Sequence, residues 1–166
     1  MGSSRPRRGP FDVRGWFAGP PVAPDSFSRA LVLLERGRPR EALDELEAAL
    51  AEAADDARLA RVYNKRGVAL LALGERERAV EAFIAALDAD ERCAPALVSV
   101  GNLLLESGHP ADAVDYYRAA LRCEHDYALA YANLAAALRA LGDRAGSVRA
   151  LRAAARREGR RVPGRA

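Results

Sequence analysis

The chain has 166 residues, half of them hydrophobic and 30% charged, with a net charge of +3. That length can bury one domain core, but four Phe, five Tyr and one Trp beside abundant Ala argue against a sheet of β-branched and aromatic strands. No apolar run approaches the ~20 residues needed to cross a bilayer, and two cysteines, Cys93 and Cys123, are too few to staple the chain.

Residues 1–22 open the chain as a basic segment, with Arg5, Arg7, Arg8 and Arg14 against Asp12. The segment lacks the apolar stretch of a secretory leader. Pro6 stands where a myristoylation signal needs Ser or Thr. A flexible N-terminal segment and a cytoplasmic location are the expectations. The far end is basic too: residues 144–166 carry eight arginines against Glu158, so the body between the two ends is acidic.

From residue 23 to 158 the sequence repeats itself. The first unit, about 23–56, is "FSRALVLLERGRPREALDELEAAL", with Gly37 between two amphipathic stretches. The second, 60–93, turns at Gly74; the third, 94–127, at Gly108; the fourth, 128–158, at Gly142. The last three glycines are 34 residues apart, whereas the first lies 37 before the second, an insertion near Ala54–Arg58. Ala42, Ala79, Ala113 and Ser147 follow each glycine by five positions; Leu46, Phe83, Tyr117 and Leu151 by nine; Ala49, Ala86, Ala120 and Ala154 by twelve. Ala30, Gly67, Gly101 and Ala135 precede it by seven. Each unit reads as two helices of about 13 residues joined by a short turn. The small residues mark where paired helices cross closely. The larger ones at 83, 117 and 151 are expected to plug the hollow between one hairpin and the next. Pro39 and Pro110, two past a turn glycine, suit the first position of a helix. A single hairpin cannot bury its apolar face, so stacking must supply the core. Residues 159–166 are expected to form a disordered basic tail.

This pattern resembles the tetratricopeptide-repeat (TPR) family. Tyr63, Gly67, Leu70, Gly74, Ala79, Phe83 and Ala86 occupy the family's expected slots in 60–93, and the resemblance extends over roughly 23–157. Two departures stand out: Ser26 replaces an aromatic in the first copy, and Glu91 and His125 replace the proline after the second helix. The resemblance implies an all-α, right-handed α-solenoid of about four stacked helix-turn-helix repeats, with the first helix of each hairpin lining a concave groove. Carried over position by position, the groove comprises Phe27, Leu31, Leu34 and Glu35; Arg61, Asn64, Val68, Leu71 and Ala72; Val98, Asn102, Leu105 and Glu106; and Leu129, Ala132, Ala136, Arg139 and Ala140.

That face is more apolar than a solvated surface needs, which marks a binding surface. A non-catalytic scaffold or adaptor is the expected function, its groove recruiting a helical or extended segment of a partner protein, with Asn64 and Asn102 hydrogen-bonding the partner's backbone. Two alternatives stay open: the groove is filled by the chain's own residues 11–22 with Trp16 and Phe17, or the protein is a homo-oligomer that buries the same strip. A clamp for a C-terminal carboxylate is disfavoured, because only Arg61, Asn64, Lys65 and Arg139 are suited to it and Glu35 and Glu106 oppose it.

Arg149, Arg152 and Arg156 share a face of the last helix, with Arg160, Arg161 and Arg165 beyond. Charge complementing the helix dipole and solvating the end of the stack accounts for them; contact with an anionic ligand or nucleic acid phosphates is the lesser alternative. Neither nucleic acid nor membrane is the expected partner. No catalytic constellation is read: Cys123, Glu124 and His125 lack a zinc spacing, the glycines punctuate helices instead of cradling phosphate, and Glu75, Glu77 and Glu81 spread along solvated faces. No metal or cofactor is expected.

Overall fold

Each turn glycine adopts the left-handed conformation that ends a helix, with φ of 68°, 79°, 81° and 82° at Gly37, Gly74, Gly108 and Gly142. The backbone closes around all four identically. The N–H after each glycine donates to the carbonyl five residues back, as from Arg38 to Leu33, Glu75 to Leu70, His109 to Leu104 and Asp143 to Leu138, each at 2.9 Å. This is the Schellman arrangement, and it satisfies carbonyls that a helix end would leave bare. A computed structural model describes residues 24–161 and contains, among them, eight helices and no strand. They are α1 (Ser26–Glu35), α2 (Pro39–Ala51), α3 (Asp56–Ala72), α4 (Arg76–Ala89), α5 (Ala94–Glu106), α6 (Pro110–Cys123), α7 (Ala128–Ala140) and α8 (Arg144–Arg161). The expected flexible segment 1–22 lies outside the described residues; of the tail expected over 159–166, residues 159–161 instead continue α8, and 162–166 lie outside the described residues.

Helix starts are set by side chains. Asp25 and Asp55 accept from the backbone N–H of Ser28 and Arg58 at 2.8 and 2.7 Å, and Asp143 accepts from Gly146 at 2.8 Å. Pro39 and Pro110 open α2 and α6, where a missing N–H removes no helical bond.

Helices pack as four hairpins, α1–α2, α3–α4, α5–α6 and α7–α8, and each hairpin lies against the next through α2–α3, α4–α5 and α6–α7. The first helices also touch along the array (α1–α3, α3–α5, α5–α7), whereas the second helices do not touch one another. Elements that crowd on one side and spread on the other make an all-α solenoid, with the first helices on its inner side.

The core is built on size complementarity. A Cβ placed on Gly67 would lie 2.5 Å from Cε1 of Phe83, and one on Gly101 would lie 2.6 Å from Cε1 of Tyr117. Where the residue nine past the turn is Leu46, the facing position is Ala30 and both are buried in one cluster. The aromatic rings thus lie first across the glycine of their own hairpin, and from there reach the next one: Phe83 clusters with Leu103, and Tyr117 with Leu134. The rings at 83 and 117 reach the space between hairpins as expected, and lie over their own hairpin's glycine as well. Leu151 departs from the expectation. It is about half exposed, because no helix among the described residues packs on that side of α8.

Candidate functional site: a cleft on the first-helix face

A cleft of about 510 Å³ opens where α1 and α3 approach each other and the starts of α5 and α7. Phe27, Leu31, Leu34 and Glu35 of α1 form one wall, and Arg61, Asn64, Lys65 and Val68 of α3 the other. Pro95, in the first turn of α5, and Tyr127, just before α7, close its end. Both helices present i, i+3/i+4, i+7 series to this space, as the helical repeat requires.

Its floor is firm. Phe27 and Leu34 are half-buried against the cluster of Ala30, Leu46 and Val62. The Arg58 guanidinium lies 6.0 Å from the Phe27 ring and pairs with Asp25 at 2.6 Å. That hydrogen-bonded pair, with Ser28, holds the Asp25 carboxyl well below the usual carboxylate range. Arg61, Lys65 and Glu35 give the rim two cations against one anion.

A polar seam runs on from the cleft between first helices. Ser99 Oγ donates to Asn64 Oδ1 at 2.8 Å. Farther along, Asn102 Oδ1 accepts from both the Tyr117 hydroxyl and Asn133 Nδ2, each at 2.8 Å. Burial pushes the Tyr117 hydroxyl up to about 12, so it remains a donor at neutral pH. The oxygens of Asn64 and Asn102 are therefore occupied inside the protein, and what each retains for a ligand is its amide N–H group.

Of the eighteen groove residues anticipated from the sequence, seven line the cleft: Phe27, Leu31, Leu34, Glu35, Arg61, Asn64 and Val68. The other eleven lie elsewhere. Val98 is buried in the core cluster with Leu97, Ala130 and Leu134, which corrects its assignment to an open surface: α7 lies against α5 there. Leu71 and Leu105 are half-buried against core clusters. Asn102 serves the polar seam. Leu129 and Arg139 are exposed on α7 without lining the cleft. The apolar strip expected to be continuous is thus interrupted at α5. Pro95 and Tyr127 were not anticipated. Neither belongs to the periodic face of a helix, and only the stacking of hairpins brings both to the cleft.

The C-terminal arginines divide. Arg157 is a strap: its guanidinium stacks on Tyr131 at 4.2 Å, Nε donates to the His125 carbonyl at 2.9 Å, and it pairs with Asp126 at 3.3 Å. Arg149, Arg152 and Arg156 are exposed. Cys93 is buried and Cys123 half-buried, both as free thiols, and burial pushes the Cys93 thiol up. Among the described residues no group of three His, Cys, Asp or Glu is placed to hold a metal, and no helix is long and apolar enough to cross a membrane.

Hairpins in fixed register, glycine-terminated first helices and a crowded inner layer define an α-solenoid repeat protein. The tetratricopeptide-repeat family profile matches residues 64–128. Solved structures of the same fold include MamA (19% identity, 82% of this chain and 78% of that one, TM-score 0.63). BtubC from P. vanneervenii is similar at 20% identity, over 85% of this chain and 66% of that one, with a TM-score of 0.65. YrrB, described as a TPR protein with an unusual peptide-binding site, is similar at 19% identity, over 81% and 68%, with a TM-score of 0.59. No curated protein sequence matches. Residues 64–128 thus match the tetratricopeptide-repeat profile, and the eight-helix array as a whole has the fold of these solved solenoids.

Proposed function

We propose that this protein is a non-catalytic interaction scaffold whose cleft between α1 and α3 takes a helical or extended segment of a partner protein. One observation carries this reading: an open space of about 510 Å³ in which Phe27, Leu31, Leu34 and Val68 stand beside the polar Arg61, Asn64 and Lys65. Apolar walls with a few placed polar groups are the chemistry of a peptide site. The two rim cations suit a segment that carries an acidic residue next to its apolar anchors. YrrB, of the same fold, is described as having a peptide-binding site, which supports the class of ligand.

The test compares chains captured from the native host by the intact protein, by Leu31→Glu/Val68→Glu, and by Ile84→Glu on the exposed outer side of α4. Partners retained by Ile84→Glu and lost with the cleft variant are the expected result, an anchor truncation of this kind costing about tenfold or more in affinity. Partners that survive the cleft variant overturn the reading. A sedimentation mass that falls from oligomer to monomer only with the cleft variant would assign the cleft to a second copy of the chain.

A further inference from the structure

The two ends of the stack are finished differently. At the α1 end polar side chains pair α1 with α2, and the large apolar side chain exposed on α1 is Val32, at 43%. Ser26, where the family resemblance called for an aromatic, donates from Oγ to Glu52 at 2.6 Å, and Arg29 pairs with Glu45 at 2.7 Å. At the α8 end the surface is apolar and unmet. Leu46, Phe83 and Tyr117, nine residues past their turn glycines, are 0%, 1% and 0% exposed because their own hairpin and the following one cover them together. Leu151 holds the same register and is 49% exposed, with Val148 at 46%. Val148, Leu151 and the exposed Ala155 recur at i, i+3 and i+7 along α8, so they form one stripe.

Charge frames that stripe. Arg144 and Arg152 lie one helical turn to either side of Val148, exposed and with no ion-pair partner among the described residues, and Glu158 is the only acid on α8. We propose that this end face docks an amphipathic helix of a partner protein, with an apolar stripe and acidic flanks, in the place that the first helix of a further hairpin would take. The partner's stripe packs on Val148 and Leu151, and its carboxylates pair with Arg144 and Arg152. The chain's own pieces fit less well. Residues 1–23 carry four arginines against one aspartate and would meet like charge. A second copy placed with its α8 end against this one opposes arginine to arginine. This site is separate from the cleft, and its test is independent of it.

The probe is a fluorescent helical peptide of about 18 residues, five turns long, with a leucine stripe and glutamate flanks. A lysine-flanked version and a scrambled one serve as comparisons, with binding to the full chain read by anisotropy. The glutamate peptide is expected to bind, and Val148→Glu/Leu151→Glu to weaken it about tenfold or more. Arg144→Glu/Arg152→Glu, two exposed changes that spare the fold, should turn the preference toward the lysine peptide. Val68→Glu in the cleft should change nothing. Four results overturn the proposal: binding no tighter than the scrambled peptide, loss with Val68→Glu but not with the end-face variants, a dimer that those variants dissolve, or a tenfold gain in peptide affinity on removing residues 1–23.

Discussion

A single methyl group separates Gly67 from alanine, and the space for it is taken by the Phe83 ring 2.5 Å away. Ordinarily Gly→Ala inside a helix gains about 1 kcal/mol in propensity. Here the added carbon forces the ring off its rotamer, an overpacking cost of about 1–3 kcal/mol. Gly67→Ala is therefore expected to be net destabilising, by up to about 2 kcal/mol, measured by urea unfolding. Phe83→Leu should relieve the clash, because Leu46 over Ala30 is the same junction built one size smaller. The double variant should be more stable than the sum of the two single losses predicts, by about 1 kcal/mol or more. Strict additivity would mean that the ring and the glycine do not depend on one another. The pairing of Gly with an aromatic and Ala with Leu was visible in the sequence as two columns of the repeat. That the ring rests on its own hairpin's glycine was not visible, since periodicity assigns a face and not a neighbour.

At the scale of the helix, the start of α1 depends on Asp25, which caps Ser28 and pairs with Arg58 of α3 at once. Its carboxyl is held below the ordinary range chiefly by the Arg58 hydrogen bond, then by Ser28. The folded chain thus favours the charged form more than the unfolded chain does. That contribution is complete above the unfolded pKa of about 3.9 and fades as pH falls through that value toward the lower folded one. Thermal melts between pH 7 and 3 should show α1 loosening first at the acid end. Asp25→Asn keeps a capping side chain but loses the charge, and should flatten this part of the pH dependence. An unchanged profile would mean that the pair contributes nothing to folding. Helix boundaries in general were legible because their signals are local: an aspartate before the first turn, a proline opening it, a glycine closing it. The link from Asp25 to Arg58 spans 33 residues and has no local signature.

Over the whole molecule, equivalent positions carry unequal loads because a stack has ends. Leu46 and Leu151 share one register, yet the first is fully buried and the second half exposed. Leu46→Ala should cost about 2–5 kcal/mol, as for a buried leucine, whereas Leu151→Ala should fall within about 1 kcal/mol. Equal losses would mean that something covers Leu151 in the isolated protein. The same reasoning places easier opening at the end hairpins than at α3–α6, since a repeat in the middle has two neighbours and one at an end has one.

The period of 34, the four turn glycines, the alanine-lined crossings and hence the all-α stack were determined by the sequence alone, because each rests on contacts within a hairpin or on the conformation of one residue. Only the tertiary structure decided which inner-face residues meet solvent. Val68 opens on the cleft while Val98, a third-hairpin residue anticipated on the same face, is sealed under α7, and Pro95 and Tyr127 enter from outside any helical pattern. The physical reason is distance along the chain: a repeat encodes its own shape locally, but exposure is set by how closely the next hairpin leans on it, and that depends on the summed packing of both.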